Sequence, residues 1–396
     1  MDKEHITVYR QTLDVIRKSL WGTGQATADE NVYSELKLHC ILGLAAPVLP
    51  ELSLEPALYD RWLKSIIYQV GRYYCYLEAQ STLPVTVPYV ILKGTAAADY
   101  YPCPEYRTFG DIDIMVKRED YRAACDMMLE DGYLECTSEG NADRGRHREF
   151  VKKNISVEVH AFFALLNDEK AAEYLDELIE ENIGPSHKLP DAVNGLVLLE
   201  HISQHLEEGL GLRQIIDWMM FVDKCLPDEK WPEFQPMAQK IGLEKLAVIT
   251  TRMCEVYLGL PERKWCSDAK GYYCEELMLY ILSCGNFGNK RIDDLFDYNV
   301  TTFSEATTLK KTIAMLQRRG MINWEAARKH RIIQPFAWIY QLVRYFFKGF
   351  KRHDSISQFK KEHREARRRN ELFDVLGVRQ KSKDLFIYKE GKYQKE

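Results

Sequence analysis

The chain has 396 residues, of which 46% are hydrophobic and 29% are charged, with a formal net charge of −5. This balance is that of a globular protein long enough for about two or three domains. The negative charge does not favour nucleic acid, which would need a local basic patch. The chain starts with a polar segment, contains no run of ~18 apolar residues, and has ten dispersed cysteines without a C-x-x-C pair. We therefore expect a cytoplasmic protein with no membrane association.

Helical periodicity predicts an N-terminal helical region over residues 1–85. Apolar side chains recur there at helical spacing, as at Trp62 and Ile66. The same period returns over residues 166–349, which we expect to form a helical domain. Residues 350–396 are basic and polar, and we expect a solvated helix with a frayed tail that the chemistry does not need.

Between these helical regions, residues 86–165 show the pattern of a small α/β core. A β-branched apolar strand ends at Leu92, and a second strand is predicted over Asp111–Val116. Two further strands meet at Lys153-Asn154, a sequence suited to a hairpin turn. A helix follows each of the first two strands. The chain is therefore predicted to have an α+β fold, with a small mixed sheet embedded in largely helical regions.

The second strand carries the clearest chemical signal. Side chains alternate along a strand, so Asp111 and Asp113 project to one side while Ile112 and Ile114 face the core. Two carboxylates with Cα atoms roughly 6.6 Å apart on one face repel each other unless a cation lies between them. Phosphoryl transfer with two metal ions needs such a pair. Mg²⁺ is the natural ion because it prefers hard oxygen ligands.

A third acid lies on the last strand of the predicted hairpin. In Val157-Glu158-Val159-His160 the valines face inward, so Glu158 and His160 share the other face. If this strand lies beside the second, Glu158 either completes the metal site or acts as a general base toward an acceptor hydroxyl. His160 either binds phosphate, orients Glu158, or is a surface histidine in an ordinary hydrogen bond.

Lys93, Gly94 and Thr95 form a turn between the first strand and the helix after it. Free N–H groups at a helix start attract an anion, and glycine allows a phosphate to approach the backbone. Lys93 and Arg107 carry the positive charge that a nucleoside triphosphate needs, arginine through a two-pronged donor. We therefore expect the triphosphate to bind at this turn.

Taken together, these motifs resemble a known family. The segments Ile91–Gly94, Tyr101-Pro102, Arg107, Gly110–Asp113 and Val157–His160 are similar to those of an uncharacterised nucleotidyltransferase family of bacteria, within the polymerase-beta-like nucleotidyltransferase superfamily. A more distant similarity is to the abortive-infection toxin nucleotidyltransferases. The resemblance covers roughly residues 35–280.

The resemblance implies a role for each matching residue. In the superfamily, a Gly-Ser turn holds the nucleotide phosphates and three acids bind Mg²⁺. The phosphate turn implied by the resemblance is Gly94-Thr95, and together with Lys93, Arg107, Gly110 and His160 these are the residues that we expect at the nucleotide. The residues implied at the metal, which are also the catalytic ones, are Asp111, Asp113 and Glu158. This chain has threonine in place of the serine and glutamate in place of a third aspartate.

Two histidines, His201 and His205, lie one helical turn apart. The zinc-protease motif H-E-x-x-H has a glutamate between its histidines, whereas here Glu200 precedes them. We expect one histidine to line the pocket and the other to make a structural hydrogen bond. Arg213 and Asp217, also four positions apart, are expected to pair with each other. In the resembling family this helical region packs behind the catalytic sheet, so Arg213 is also a candidate for substrate contact.

The leading hypothesis is a metal-dependent nucleotidyltransferase. It would move a nucleoside monophosphate from a nucleoside triphosphate to a hydroxyl-bearing acceptor and release pyrophosphate. The acidic chain favours an acceptor other than long nucleic acid. One alternative is a non-catalytic module that binds nucleotide or a partner. Another is an RNA-directed, toxin-like nucleotidyltransferase whose basic tail follows phosphates.

Overall fold

The computed structural model describes residues 3–136, 146–206, 209–286, 289–290, 332–350, 356–378, 386–389 and 392–395, with isolated positions between 313 and 330. Two compact units are present: the first comprises Met1–Lys290 and Leu376–Glu396, and the second comprises Arg291–Val375. Among the described residues, no helix combines the length and the apolar character that crossing a membrane requires. The division into four segments expected from the sequence remains a prediction.

The first unit contains a five-stranded mixed sheet within a largely helical chain. Its α-helices are α1 (Lys3–Trp21), α2 (Glu30–Leu38), α3 (Pro56–Ser81), α4 (Gly94–Ala98), α5 (Tyr121–Glu130), α6 (Glu169–Glu181), α7 (Asp191–His205), α8 (Leu212–Cys225), α9 (Trp231–Lys240), α10 (Glu244–Leu258) and α11 (Gly271–Cys284). Aspartates cap two of them, because Asp29 and Asp168 accept hydrogen bonds from backbone N–H groups at the starts of α2 and α6. The helix α10 is followed by Gly259, which has the left-handed conformation that favours glycine.

The sheet has the strand order β1-β2-β5-β4-β3. Its strands are β1 (Tyr89–Leu92), β2 (Ile112–Val116), β3 (Leu134–Glu135), β4 (His147–Lys152) and β5 (Ile155–His160). The strands β2 and β5 are parallel, whereas the other neighbouring pairs are antiparallel. The predicted α+β fold with a small mixed sheet is confirmed. Within this sheet, the sequence did not predict the two-residue strand β3.

The hairpin between β4 and β5 turns at the two residues that the sequence indicated. Lys153 and Asn154 both have positive φ, 51° and 61°. Positive φ at both central residues is the requirement of the tight turn whose twist matches that of the flanking strands. The register that follows sets Glu149 opposite Glu158 and His147 opposite His160.

One face of the sheet packs on the apolar core of this unit. Residues of α3 and α5 pack there against alternating residues of the strands, among them Ile114, Phe150, Val157 and Val159, all fully buried. Each such side chain contributes about 1.5–3 kcal/mol by leaving water. The alternation that commits these residues to the core leaves Asp113 and Glu158 on other sides of their strands, as predicted.

The second unit and the chain end contain further regular structure. The described helices there are α12 (Ala337–Phe350) and α13 (Ile356–Leu376), and a two-stranded antiparallel hairpin pairs β6 (Phe386–Lys389) with β7 (Lys392–Lys395). The helix α13 includes the basic stretch for which the sequence indicated a helix, whereas the hairpin was not predicted. Residues 291–312, part of the predicted helical domain, lie outside the described residues.

Candidate active site

Three carboxylates converge on the neighbouring strands β2 and β5. The parallel register sets Asp113 directly beside Glu158, and Asp111 lies just before β2 begins at Ile112. One ligand atom from each of Asp111, Asp113 and Glu158 lies within 4.8 Å of the others. The structure therefore brings together the three predicted metal ligands. That they bind a metal stays a prediction.

The electrostatics of this group favour a cation. The charge of Asp113, and after it burial, raise the pKa of Asp111 to about 6. Asp113 itself is only 1% exposed. Two carboxylates this close to each other are both ionised only when a cation lies near them, and otherwise they share a proton. Perturbed acids of this kind cluster at functional sites.

The imidazole of His160 contacts two of the three acids. Its Nε2–H donates to Asp113 Oδ1 at 3.0 Å and lies 3.2 Å from Glu158 Oε2. Because both neighbours are carboxylates, Nε2 must carry the hydrogen. Burial alone would lower the pKa of His160, but the hydrogen bonds to Asp113 and Glu158 outweigh it and the pKa is raised. The side chain is 1% exposed, which suits an orienting role.

Glu158 is held between two imidazoles. Burial would raise the pKa of Glu158, but the hydrogen bond and charge of His160 outweigh it and the pKa is lowered. His147 Nε2 lies 3.9 Å from Glu158 Oε2, and burial, followed by the charge of His160, lowers the pKa of His147 to about 4. His147, Glu158 and His160 form a second group with the spacing of metal ligands. The sequence reasoning missed His147, although its place opposite His160 follows from the hairpin register.

Lys93 reaches the same acids from the end of β1. Its Nζ lies 2.8 Å from Asp113 Oδ1, and its side chain is 12% exposed. Burial would lower the pKa of Lys93, but the charges of Asp113, Asp111 and Glu158 outweigh it and the pKa is raised. The backbone of Lys93 has φ 54° and ψ −134°. The lysine expected at the phosphates thus forms an ion pair with an expected metal ligand.

The rest of the predicted phosphate turn is small and closely packed. Gly94 has φ +35°, and a Cβ there would lie 3.6 Å from the Asp111 carbonyl oxygen. The hydroxyl of Thr95 donates to Gln80 Oε1 at 2.6 Å. The helix α4 has only five residues. Phosphate binding by this turn therefore stays a prediction. Lys93 and Gly94 support it more than Thr95 does, because the Thr95 hydroxyl already donates to Gln80.

Arg107 is engaged in a buried ion pair. Its Nε and Nη2 donate to the two carboxylate oxygens of Asp217 on α8, each at 2.7 Å, and Tyr101 donates its hydroxyl to Asp217 Oδ1 at 2.7 Å. Burial would lower the pKa of Arg107, but the charge of Asp217 outweighs it and the pKa is raised. The sequence analysis paired Asp217 with Arg213 and assigned the guanidinium group of Arg107 to phosphate. In the structure, the guanidinium group of Arg107 instead donates both hydrogen bonds to Asp217.

The acids face a cavity of about 280 Å³ whose other wall is helical. Its lining residues are Lys93, Gly94, Arg107, Gly110, Asp111, Asp113, Arg146, His147, Glu158, His201, Gln204, His205 and Arg213. Thr95 and His160 do not line it. At Gly110, a Cβ would lie 3.7 Å from Arg213 Nη1. The strands therefore supply the acids, while α7 and α8 supply histidine, amide and guanidinium groups.

Both histidines of α7 line this cavity, whereas the sequence assigned only one to it. Burial, followed by the charge of Lys93, lowers the pKa of both His201 and His205, that of His205 to about 4. Both imidazoles are therefore neutral near pH 7. Arg146 and Gln204 were not anticipated, because Arg146 donates to Phe163 O and Gln204 Oε1, and no local pattern links residues so far apart.

Comparison with known proteins agrees with this geometry. Residues 81–259, a little under half of the chain, match the model of a family described as uncharacterised nucleotidyltransferase. The matched segment contains every residue that lines the cavity. No curated protein and no solved structure matches the chain. The match supports a nucleotidyltransferase family for this segment and nucleotidyl transfer as the general reaction. The wider superfamily, a bacterial source and a cytoplasmic location stay predictions.

Proposed function

We propose that the protein is a metal-dependent nucleotidyltransferase, which moves a nucleoside monophosphate from a nucleoside triphosphate to a hydroxyl-bearing acceptor and releases pyrophosphate. The observation that carries this proposal is the convergence of Asp111, Asp113 and Glu158 within 4.8 Å, at the wall of a cavity that also contains cationic side chains. The family match supports the general reaction. It leaves the acceptor open.

The donor set suits Mg²⁺. Carboxylate oxygens are the ligands that this ion prefers, and the mutual repulsion of Asp111 and Asp113 is relieved by a divalent cation. We assign Asp111, Asp113 and Glu158 as the ligands of a site for one or two ions. When bound, Mg²⁺ would supply charge stabilisation at the phosphoryl oxygens. Glu158 is better suited to be a ligand than a general base, because the hydrogen bond and charge of His160 lower its pKa, and both His160 and His147 lie near its Oε2.

The other residues of the site bind and orient. We assign Lys93 and Gly94 to the triphosphate, with Gly110 leaving room beside Arg213. His160 holds the orientation of Asp113 and Glu158. Arg107 contributes mainly by fixing its turn to α8 through Asp217, so any contact it makes with phosphate is secondary.

The experiment that tests the proposal follows both ends of the triphosphate. Purified full-length protein, Mg²⁺ and a cell extract are incubated with each nucleoside triphosphate, labelled in parallel at the α or the γ phosphate. Transfer of the α label to an acceptor, with the γ label released as pyrophosphate, is the expected result. Transfer of the γ label would indicate phosphoryl rather than nucleotidyl transfer and would overturn the proposal.

Variants then tie the reaction to the acids. Asp111→Asn and Asp113→Asn each remove one charge at nearly constant volume. Each should lower transfer by more than roughly 100-fold, the upper end of the loss of activity seen when residues that hydrogen-bond to metal ligands are mutated. Glu119→Gln, an exposed acid beyond the end of β2, is the matched control and should behave as the wild type. Variants of the two aspartates that keep transfer within a few fold would contradict the assignment.

A further inference from the structure

The ammonium group of Lys93 contacts one of the three acids assigned to the metal. Its Nζ contacts Asp113 Oδ1 at 2.8 Å, and Asp113 is one of the three acids within 4.8 Å of one another. The side chain is largely buried, and Phe163 lies beneath it with its ring centroid 5.7 Å from Nζ. An ammonium in this position neutralises part of the charge that a divalent cation would otherwise neutralise.

The backbone conformation of Lys93 indicates that its side chain has a role at this position. Lys93 has φ 54°, a conformation that glycine adopts freely and that other residues adopt only with strain. It directly follows Leu92, which pairs with Asp113 across β1 and β2. A glycine at this position would relieve the strain but would leave the acids without the ammonium. The chain keeps the lysine despite that strain.

The ammonium group of Lys93 is also able to move away from Asp113. Lysine is a point charge on a flexible four-carbon stem, so its ammonium can move by several ångströms without any change in the backbone. The cavity that Lys93 lines offers it a position toward an incoming anion. His160, which also donates to Asp113 and Glu158, would remain to hold the two acids in place.

We propose that Lys93 is a built-in counter-cation that makes metal binding and triphosphate binding depend on each other. Without ligands the ammonium occupies Asp113 and opposes the metal. When a metal-bearing triphosphate enters, the ammonium group of Lys93 moves from Asp113 to the phosphates, and Asp113 then binds the metal. This inference rests on the proposed function. Because coupling between two ligands is reciprocal, metal tightens triphosphate binding by the same factor as triphosphate tightens metal binding.

The test uses binding rather than activity and does not depend on the identity of the base. Full-length wild type and Lys93→Met are titrated with Mn²⁺ alone, followed by its electron paramagnetic resonance signal. They are also titrated with inorganic tripolyphosphate at saturating Mg²⁺, followed by calorimetry. Lys93→Met should bind Mn²⁺ about tenfold more tightly, because the competitor is gone, and tripolyphosphate about tenfold more weakly, a coupling of ordinary size. Opposite signs are the diagnostic result.

Two further variants make the result decisive. Lys93→Gly removes the ammonium and the strain together, so it should show the same two changes even if the methionine variant folds poorly. Lys117→Met, which follows β2 and does not line the cavity, should show neither change. If the Lys93 variants weaken or leave unchanged Mn²⁺ binding while the wild type binds both probes, the coupling inference is overturned and the proposed function stands. A wild type that binds neither probe would overturn both.

Discussion

Asp176 on α6 is a buried carboxylate that fixes the segment after β5. It accepts hydrogen bonds from the backbone N–H groups of Phe163 at 2.8 Å and Ala164 at 2.9 Å, and its side chain is fully buried. That segment lies beside the site, since Phe163 carries the ring under Lys93 and the carbonyl that accepts from Arg146. Burial raises the pKa of Asp176 to about 7, although the two N–H groups act in the opposite direction.

The raised pKa of Asp176 makes the folded protein less stable at higher pH. When a carboxyl group binds its proton more tightly in the folded state than in the unfolded state, the folded protein loses stability as the pH rises from the unfolded pKa through the folded pKa. With an ordinary value of 3.8 and a folded value of about 7, the full loss is about 4 kcal/mol, reached above pH ~7. Below pH ~4 both states are protonated and no loss remains.

The variant Asp176→Asn removes this pH dependence while keeping an oxygen for the two N–H groups. Its free energy of unfolding relative to the wild type should increase by about 2–3 kcal/mol between pH 5 and pH 8. Urea unfolding at several pH values, followed by tryptophan fluorescence, measures the difference. Glu177→Gln, the exposed neighbour on α6, is the control and should give a flat profile. A difference for Asp176→Asn that does not grow with pH would refute the reasoning.

Two further changes probe the groups around the acids. Arg107→Met leaves Asp217 buried without its main partner and should lower the free energy of unfolding by about 3–5 kcal/mol, whereas the exposed Arg122→Met should not; equal urea midpoints would contradict this. His160→Phe keeps a ring but has no donor, so the Mg²⁺ concentration that gives half of the tripolyphosphate-dependent thermal shift should rise about 10- to 100-fold. An unchanged midpoint would show that His160 does not orient the ligands.

The acid cluster was predictable because it depends on the shortest-range rule of the sheet. Alternation along a strand sets Asp111 and Asp113 apart from Ile112 and Ile114 using only four consecutive residues. The same rule placed Glu158, and the parallel pairing of β2 with β5 then brought it beside Asp113. Periodicity and turn residues likewise gave the helices and the hairpin, since each depends on neighbours in sequence.

What could not be predicted depends on contacts between distant segments. Arg107 and Asp217 are 110 positions apart, so an intrahelical partner for Asp217 was the nearest local solution, and the real partner comes from another element. The use of Lys93 was missed for a different reason. The sequence shows a cation next to a glycine, and only the fold shows that this cation contacts Asp113 rather than open solvent.

The charges around the cavity explain why a metal-bearing anion suits this site better than a metal alone. Three acids, Asp111, Asp113 and Glu158, face three cations, Lys93, Arg146 and Arg213, and Arg107 is already neutralised by Asp217. The protein alone is therefore close to balance within the cavity, and a divalent ion by itself would leave an excess of positive charge in a partly buried space. A fully ionised triphosphate carries enough negative charge to offset two divalent ions, so with two ions the cavity would stay close to balance. On the proposed function, the cavity is matched to the complex of metal and nucleotide, and to neither component alone.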